Sequence, residues 1–137
     1  IVDAPPLLAM VDVPKVERIL EILLGNVAKH TPSDARAWVK ASMGADGLTI
    51  VVEDDGPGIT DDMKRECFRA FRQGERVEKH SPGIGTGLSI VAGFARLHGG
   101  RCWVQDRPGG GASFFVLLPT PQRTNVVTSS VEAARPV

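Results

Sequence analysis

Leu48-Thr49-Ile50-Val51-Val52-Glu53-Asp54-Asp55-Gly56-Pro57-Gly58 is the stretch that decides the architecture. Its first half, Leu48 to Glu53, is a short run of strand-forming residues. Its second half holds Asp-Gly and Pro-Gly, both strong turn dipeptides, so the strand ends in a glycine-proline loop over 55–60. Upstream, Ala37 to Met43 reads as a second strand. Gly44 to Gly47 lies between the two as a turn, which makes the pair a hairpin. Downstream, Asp61 to Phe71 reads as a short helix capped by Thr60 or Asp61.

Working outward, the pattern changes period. Residues 7–13 look like a short strand. Pro14 suits the first turn of a helix, with Asp12 or Val13 near its N-cap. Val16, Ile19, Leu20, Leu23, Leu24 and Val27 recur at helical spacing, predicting a helix over 14–30 that stops near Thr31-Pro32. Gln73 to Gly83 is a polar loop. Gly87 to Leu97 reads as a helix ended by Gly99-Gly100. Arg101 to Asp106 and Ala112 to Leu118 are strands around the turn 107–111. Helices interleaved with hairpins predict an α/β two-layer sandwich, with helices on one face of a mixed, mostly antiparallel sheet. No internal repeat is present. One domain over 1–120 is expected, with 121–137, rich in Pro, Ser, Thr and Ala, as a disordered tail.

The composition fits this reading. The chain has 137 residues, enough to bury a core, and 42% of them are hydrophobic. Sixteen basic and sixteen acidic residues cancel, so no overall field favours nucleic acid or a membrane surface. No apolar run approaches the ~18 residues of a spanning helix. Cys67 and Cys102 form no Cys-x-x-Cys pair and read as free thiols. The first residue is Ile1, not Met, and the chain is read as a fragment of a larger protein.

Three polar or glycine-rich signals fall in a fixed order. On the first helix, Ile22, Asn26, Lys29 and His30 share a face. An Asn on an apolar stripe needs a partner for its amide, and its carbonyl oxygen is a good hard ligand for Mg²⁺. Lys29 can neutralise phosphate. Asp54, at the end of its strand, can accept a hydrogen bond from an exocyclic amine such as that of adenine, while Gly56 and Gly58 let the chain turn beside the base. Asp55 reads as turn chemistry. Gly83-Ile84-Gly85-Thr86-Gly87-Leu88 opens a helix, and bare amides at a helix start make an anion site. It is neither a Walker A loop nor a Rossmann fingerprint. Each signal alone reads better as a solvated helix end, a plain turn or a flexible helix start. All three in this order supply the parts of a nucleotide site.

These residues also carry a family resemblance. The chain resembles the catalytic and ATP-binding domain of bacterial sensor histidine kinases, part of the superfamily that includes DNA gyrase, heat-shock chaperones and MutL. Leu-Leu-Gly-Asn26-Val-Ala-Lys29-His30-Thr is similar to the N box. Glu-Asp54-Asp-Gly56-Pro-Gly58-Ile59 is similar to the G1 box, Cys-Phe68-Arg-Ala-Phe71-Arg72 to the F box, and Gly83-Ile-Gly85-Thr86-Gly87-Leu88 to the G2 box. His98-Gly-Gly and Gly109-Gly-Gly111-Ala-Ser-Phe114 are similar to the closing segments. The likeness covers about residues 10–119 and implies a Bergerat-type fold.

The resemblance implies roles. Asn26 and Lys29 form the catalytic pair, with Asn26 on Mg²⁺ and Lys29 on phosphate. His30 stands near the nucleotide where a Tyr is more usual. Asp54 holds the adenine amine, with Gly56, Gly58 and Ile59 beside it. Gly85, Thr86, Gly87 and Leu88 offer backbone amides to the phosphates, and Gly83, Phe71 and Arg72 complete the nucleotide-binding set. The loop 72–84 is the ATP lid, anchored by Phe68 and Phe71. Two departures stand out. The position four before Asn26, often Asn or Glu in the family, is Ile22. The F box, usually Phe-Tyr-Arg, reads Phe71-Arg72-Gln73. Ile22 cannot activate water, and Glu21 points about 100° away around the helix, so phosphoryl transfer is favoured over hydrolysis. The resemblance further implies an upstream dimerisation and phosphoacceptor domain, a response regulator receiver as partner and no nucleic acid. It implies a homodimeric parent, a monomeric isolated domain and a cytoplasmic location. An anti-sigma-factor-type serine kinase or a non-catalytic ATP-binding module is the alternative.

Overall fold

The computed structural model describes residues 1–3, 9–73 and 84–120. Its elements are β1 (Val2–Asp3), α1 (Val13–His30), β2 (Ala37–Gly44), β3 (Gly47–Asp54), α2 (Asp61–Gln73), α3 (Ile84–Leu97), β4 (Arg101–Asp106) and β5 (Ala112–Leu118). The strands form one sheet in the order β1-β2-β3-β5-β4. β1 runs parallel to β2. The other pairs are antiparallel. This is the mixed sheet that the sequence predicts.

Alternation along the central strands builds the two layers. Leu48, Ile50 and Val52 of β3 and Phe114, Val116 and Leu118 of β5 are buried on one face. There they join Ile19 and Leu23 of α1, Cys67 and Ala70 of α2, and Leu88, Val91 and Ala95 of α3 in one core. Each such aliphatic side chain contributes about 1.5–3 kcal/mol by leaving water. The sandwich, with its helices on one face, is as expected. Burial pushes both thiols, Cys67 and Cys102, up to about 12, so they stay protonated and act as packing groups.

The chain starts differently from expectation. Residues 9–12 form no strand, and Val13 is already helical. The edge strand is Val2–Asp3 instead, while residues 4–8 lie outside the described residues. Local capping explains the change. Asp12 is the N-cap, and its Oδ1 accepts from the Lys15 N–H at 3.3 Å. Its other oxygen pairs with the Lys15 ammonium at 2.7 Å. The apolar residues Ala9 and Val11 pack against the core without strand pairing.

Helix ends follow their local chemistry. Thr31 stops α1 in an extended conformation ahead of Pro32, as a residue before proline must. Its hydroxyl donates back to the Val27 carbonyl at 2.6 Å. Thr60 caps α2, its Oγ1 accepting from the Met63 N–H. At the end of α3, Gly99 takes φ +76°, and Gly100 N–H reaches the Ala95 carbonyl at 2.8 Å. His98 holds the same corner. Its Nε2 accepts from the Asp12 N–H at 3.1 Å, and its Nδ1 lies 2.8 Å from the Phe94 carbonyl. A nitrogen that accepts carries no proton, so the proton sits on Nδ1 and is donated to Phe94. Two helices are longer than the sequence suggests: α2 reaches Gln73 and α3 begins at Ile84, not Gly87. Glycines weaken a helix by about 1 kcal/mol each, but that is a weak preference beside tertiary packing.

The opposite face of the sheet is polar and aromatic. Glu53 is buried there, 8% exposed. It accepts from Ser113 Oγ at 2.9 Å and pairs with Lys40 at 2.5 Å and Arg107 at 3.6 Å. The Trp38 ring carries two guanidinium groups, of Arg36 at 5.4 Å and Arg107 at 4.3 Å. Trp103 stacks on Phe115 with centroids 5.1 Å apart. Burial pushes the Glu53 carboxyl up, but the hydrogen bonds from Lys40 and Ser113 and the charges of Lys40 and Arg107 outweigh it. The net effect holds Glu53 below its ordinary 4.5. A carboxyl lowered in the folded state adds stability that is fully present above its unfolded value and lost as pH falls through its folded value. Glu53→Gln is therefore expected to melt below the wild type at pH 7, with the gap narrowing as pH drops beneath 4.5. Thermal unfolding followed by circular dichroism between neutral and acid pH checks this; a gap independent of pH would contradict it.

Candidate functional site

Beside Asp54 the helical layer leaves an open cleft. β3 supplies its floor. Residue 54 falls on the helix-facing side of the strand, one residue after Glu53 on the other. Asp54 is 5% exposed, and its Oδ1 accepts from the Gly56 N–H at 2.9 Å. The chain then turns too tightly for any side chain at 56, where a Cβ would sit 2.7 Å from the Thr31 methyl and 3.0 Å from Asp54 Oδ1. Gly58 follows with φ +84°. From the neighbouring strand, Gly111 comes so close that a Cβ would strike the Asp54 carbonyl. This lets Ala112 pair directly with Asp54.

Asp55 faces elsewhere. Its Oδ1 accepts from the Arg36 N–H at 2.6 Å, its Oδ2 from Arg36 Nε at 2.9 Å, and its own N–H donates to the Arg36 carbonyl. The Arg36 backbone and guanidinium hold its carboxyl below 3.8. It clips the G1-like loop to the start of β2, a structural role in keeping with its reading as turn chemistry.

α1 makes one wall. Asn26 and His30 line the cleft with Val27 and Thr31. The Asn26 side-chain nitrogen is buried with no hydrogen-bond partner among the described residues. An orphaned N–H₂ costs free energy unless an acceptor meets it, so this nitrogen is set to donate to a ligand, while the amide oxygen is the atom that would face a cation. The other wall is apolar, with Ile59, Met63, Ala112 and Phe114. Among the described residues, no three His, Cys, Asp or Glu side chains group together. A divalent ion held here would draw most of its oxygens from a bound ligand and water, as Mg²⁺ commonly does.

The structure thus brings together Asn26, His30, Asp54, Gly58 and Ile59, with Gly56 bonded to Asp54. Lys29 is exposed on the last turn of α1 and does not line the cleft. Phe71 packs against the core, its carbonyl accepts from the Arg96 guanidinium, and Arg72 is exposed. Gly83 and most of the expected lid lie outside the described residues. Gly85 and Thr86 are in the first turn of α3, and Leu88 is fully buried in the core. A helix gives its first four N–H groups no partner of its own, here those of 84–87. Sequence reasoning missed Val27, Thr31, Met63, Ala112 and Phe114. Ala112 and Phe114 share the face of Asp54 only because β5 pairs with β3, which no local signal reports.

Comparison with known proteins fits this geometry. Residues 11–122 match the family described as histidine kinase-, DNA gyrase B- and HSP90-like ATPase. Sensor histidine kinase TmoS of Ectopseudomonas mendocina is 44% identical over 118 residues, covering 84% of this chain and 12% of TmoS. Sensor protein KdpD of Escherichia coli K12 is 36% identical over 115 residues, covering 84% of this chain and 13% of KdpD. The chain therefore spans a small part of these relatives. Among solved structures, the catalytic domain of histidine kinase ThkA superposes with TM-score 0.70 at 20% identity, over 87% of this chain and 76% of that one. Full-length ShkA, in complex with AMPPNP, matches with TM-score 0.62 at 28% identity, over 89% of this chain and 26% of that one. With sequence, fold and cleft in agreement, the chain belongs to the histidine kinase-, DNA gyrase B- and HSP90-like ATPase family, as an ATP-binding domain of the kind found in sensor histidine kinases.

Proposed function

We propose that this domain binds ATP with Mg²⁺ in the cleft and donates the γ-phosphoryl group to a histidine on a separate dimerisation domain, within a two-component pathway. One observation carries the reading: a buried carboxylate, Asp54, and an Asn26 whose buried side-chain nitrogen has no partner among the described residues line the same open cleft. Asp54 accepts from the adenine amine, while Gly56 and Gly58 turn the chain beside the ring. Ile59, Met63 and Phe114 give the base an apolar wall. His30 stands at the cleft rim beside the nucleotide. Asn26 is the residue that would hold Mg²⁺, which when bound supplies charge neutralisation to the phosphates. Lys29, at the exposed end of α1, adds a cation on the phosphate side. The free amides at the start of α3 bind phosphate oxygens. Binding of AMPPNP by ShkA supports the same use of the fold here.

Transfer is favoured over hydrolysis because α1 places no carboxylate one turn before Asn26 to activate water. Ile22 is buried, 9% exposed. Glu21 is exposed and pairs with Arg18 at 3.2 Å. Phosphoryl transfer depends mainly on positioning and charge neutralisation, which Asn26, Lys29 and the α3 amides supply. A receiver domain of a response regulator is the onward partner, the parent is a homodimer, and the domain works in the cytoplasm where ATP is available.

Asp54→Ala is expected to weaken ATP binding about 10- to 100-fold, since a hydrogen bond to a charged group contributes about 1.5–3 kcal/mol. Calorimetric titration reads this, and wild-type affinity would remove Asp54 from the adenine site. Asn26→Ala is expected to leave metal-free nucleotide affinity intact, to erase the gain from adding Mg²⁺, and to stop transfer to a supplied phosphoacceptor domain. An undiminished Mg²⁺ effect in the same titrations would sink that assignment.

A further inference from the structure

Ile22 and Gly87 are in closer contact than a helix pair needs. A Cβ placed on residue 87 would stand 2.6 Å from Ile22 Cγ2, with Ile22 Cβ and Cγ1 at 3.8 and 3.9 Å. That separation is far inside van der Waals contact. The obstructing methyl cannot swing aside, because it sits on the β-branch of a side chain that has one strongly preferred rotamer in a helix. Ile22 is itself buried in the core. Residue 87 needs no unusual backbone, for its φ is not among the positive values of the chain. Its glycine is therefore required by packing against α1 and not by its own conformation.

The contact lies at a sensitive place. Ile22 is one turn before Asn26 on the same face of α1. Gly87 is the fourth residue of α3, in the turn whose N–H groups have no helical partner. A change in the spacing at Ile22 and Gly87 moves those amides relative to Asn26. We propose that Ile22 is a positioning residue: its γ2 methyl, seated on the bare Cα of Gly87, sets the distance between Asn26 and the anion-binding turn of α3. Ile22 thus acts as a spacer, and Gly87 is the matching hollow. The proposal rests on the reading of the cleft as an ATP site.

A double-mutant cycle tests it, with ATP affinity by calorimetry and nucleotide-free thermal unfolding as separate readouts. Gly87→Ala alone is expected to lower the melting temperature and to weaken ATP binding about 10-fold, as overpacking does. In an Ile22→Ala background, which removes the methyl, Gly87→Ala is expected to reverse sign and raise the melting temperature, because Ala is the better helix former. ATP affinity should return to that of Ile22→Ala. Ile22→Val keeps a γ methyl and should give no rescue. If Ile22→Ala does not fold, Ile22→Leu, which lacks the β-branch, takes its place. An equal loss of ATP affinity from Gly87→Ala in both backgrounds would overturn the proposal and assign the glycine to direct contact with nucleotide. Absence of ATP binding by the wild type would refute the ATP reading instead, while the melting cycle would still report the packing.

Discussion

Strand β3 alternates between two faces, and at its end this alternation sets neighbouring carboxylates to different work. Glu53 points to the polar face, where Lys40, Arg107 and Ser113 hold it. Asp54 points to the helical side and floors the cleft. A slip of one residue would exchange them, placing a longer acid in the cleft and leaving the cations without their partner. The register is fixed on both sides. β2 pairs along the whole of β3 from Ala37 to Gly44, and β5 closes on it so tightly that only glycine fits at 111. The glycines near the site are therefore as much about letting strands and helices approach as about admitting a ligand.

Much of this was legible in the sequence because it is local. The α1 face, the β2–β3 hairpin, the Asp54 turn and the glycine stop after α3 each carry their own signal within a few residues. The ordered set of N-, G1- and G2-like segments then gave the family. What stayed hidden was set by tertiary contact. Residues 7–13 are apolar enough for a strand, yet Asp12 caps a helix and Ala9 and Val11 find the core without pairing. α3 starts before Gly87, despite two glycines in its first turn. The apolar wall of the cleft comes from Met63, Ala112 and Phe114, whose presence there depends on strand order and helix placement. Ile22 was legible as a departure in chemistry, but its role against Gly87 appears only when α1 and α3 are seen side by side.

The two faces of the sheet divide the labour of charge. Among the described residues, the helical side keeps a buried acid, Asp54, and an unpartnered amide nitrogen, that of Asn26, at the cleft. The outer side neutralises its own acid with nearby cations and covers Trp38 with arginine. A chain with no net charge is in this way locally polarised without a field that extends over its surface.

Two of the contacts along the α1 and α3 pair lie far apart. Asp12 meets His98 where α1 begins and α3 has just ended, and Ile22 meets Gly87 where α3 begins. Ile22 lies ten positions beyond Asp12, a span of about 15 Å at the helical rise. Two fixed points at that spacing make the antiparallel pair a strut. The placement of Asn26 against the start of α3 is therefore referred to the far end of the pair as well as to the near one.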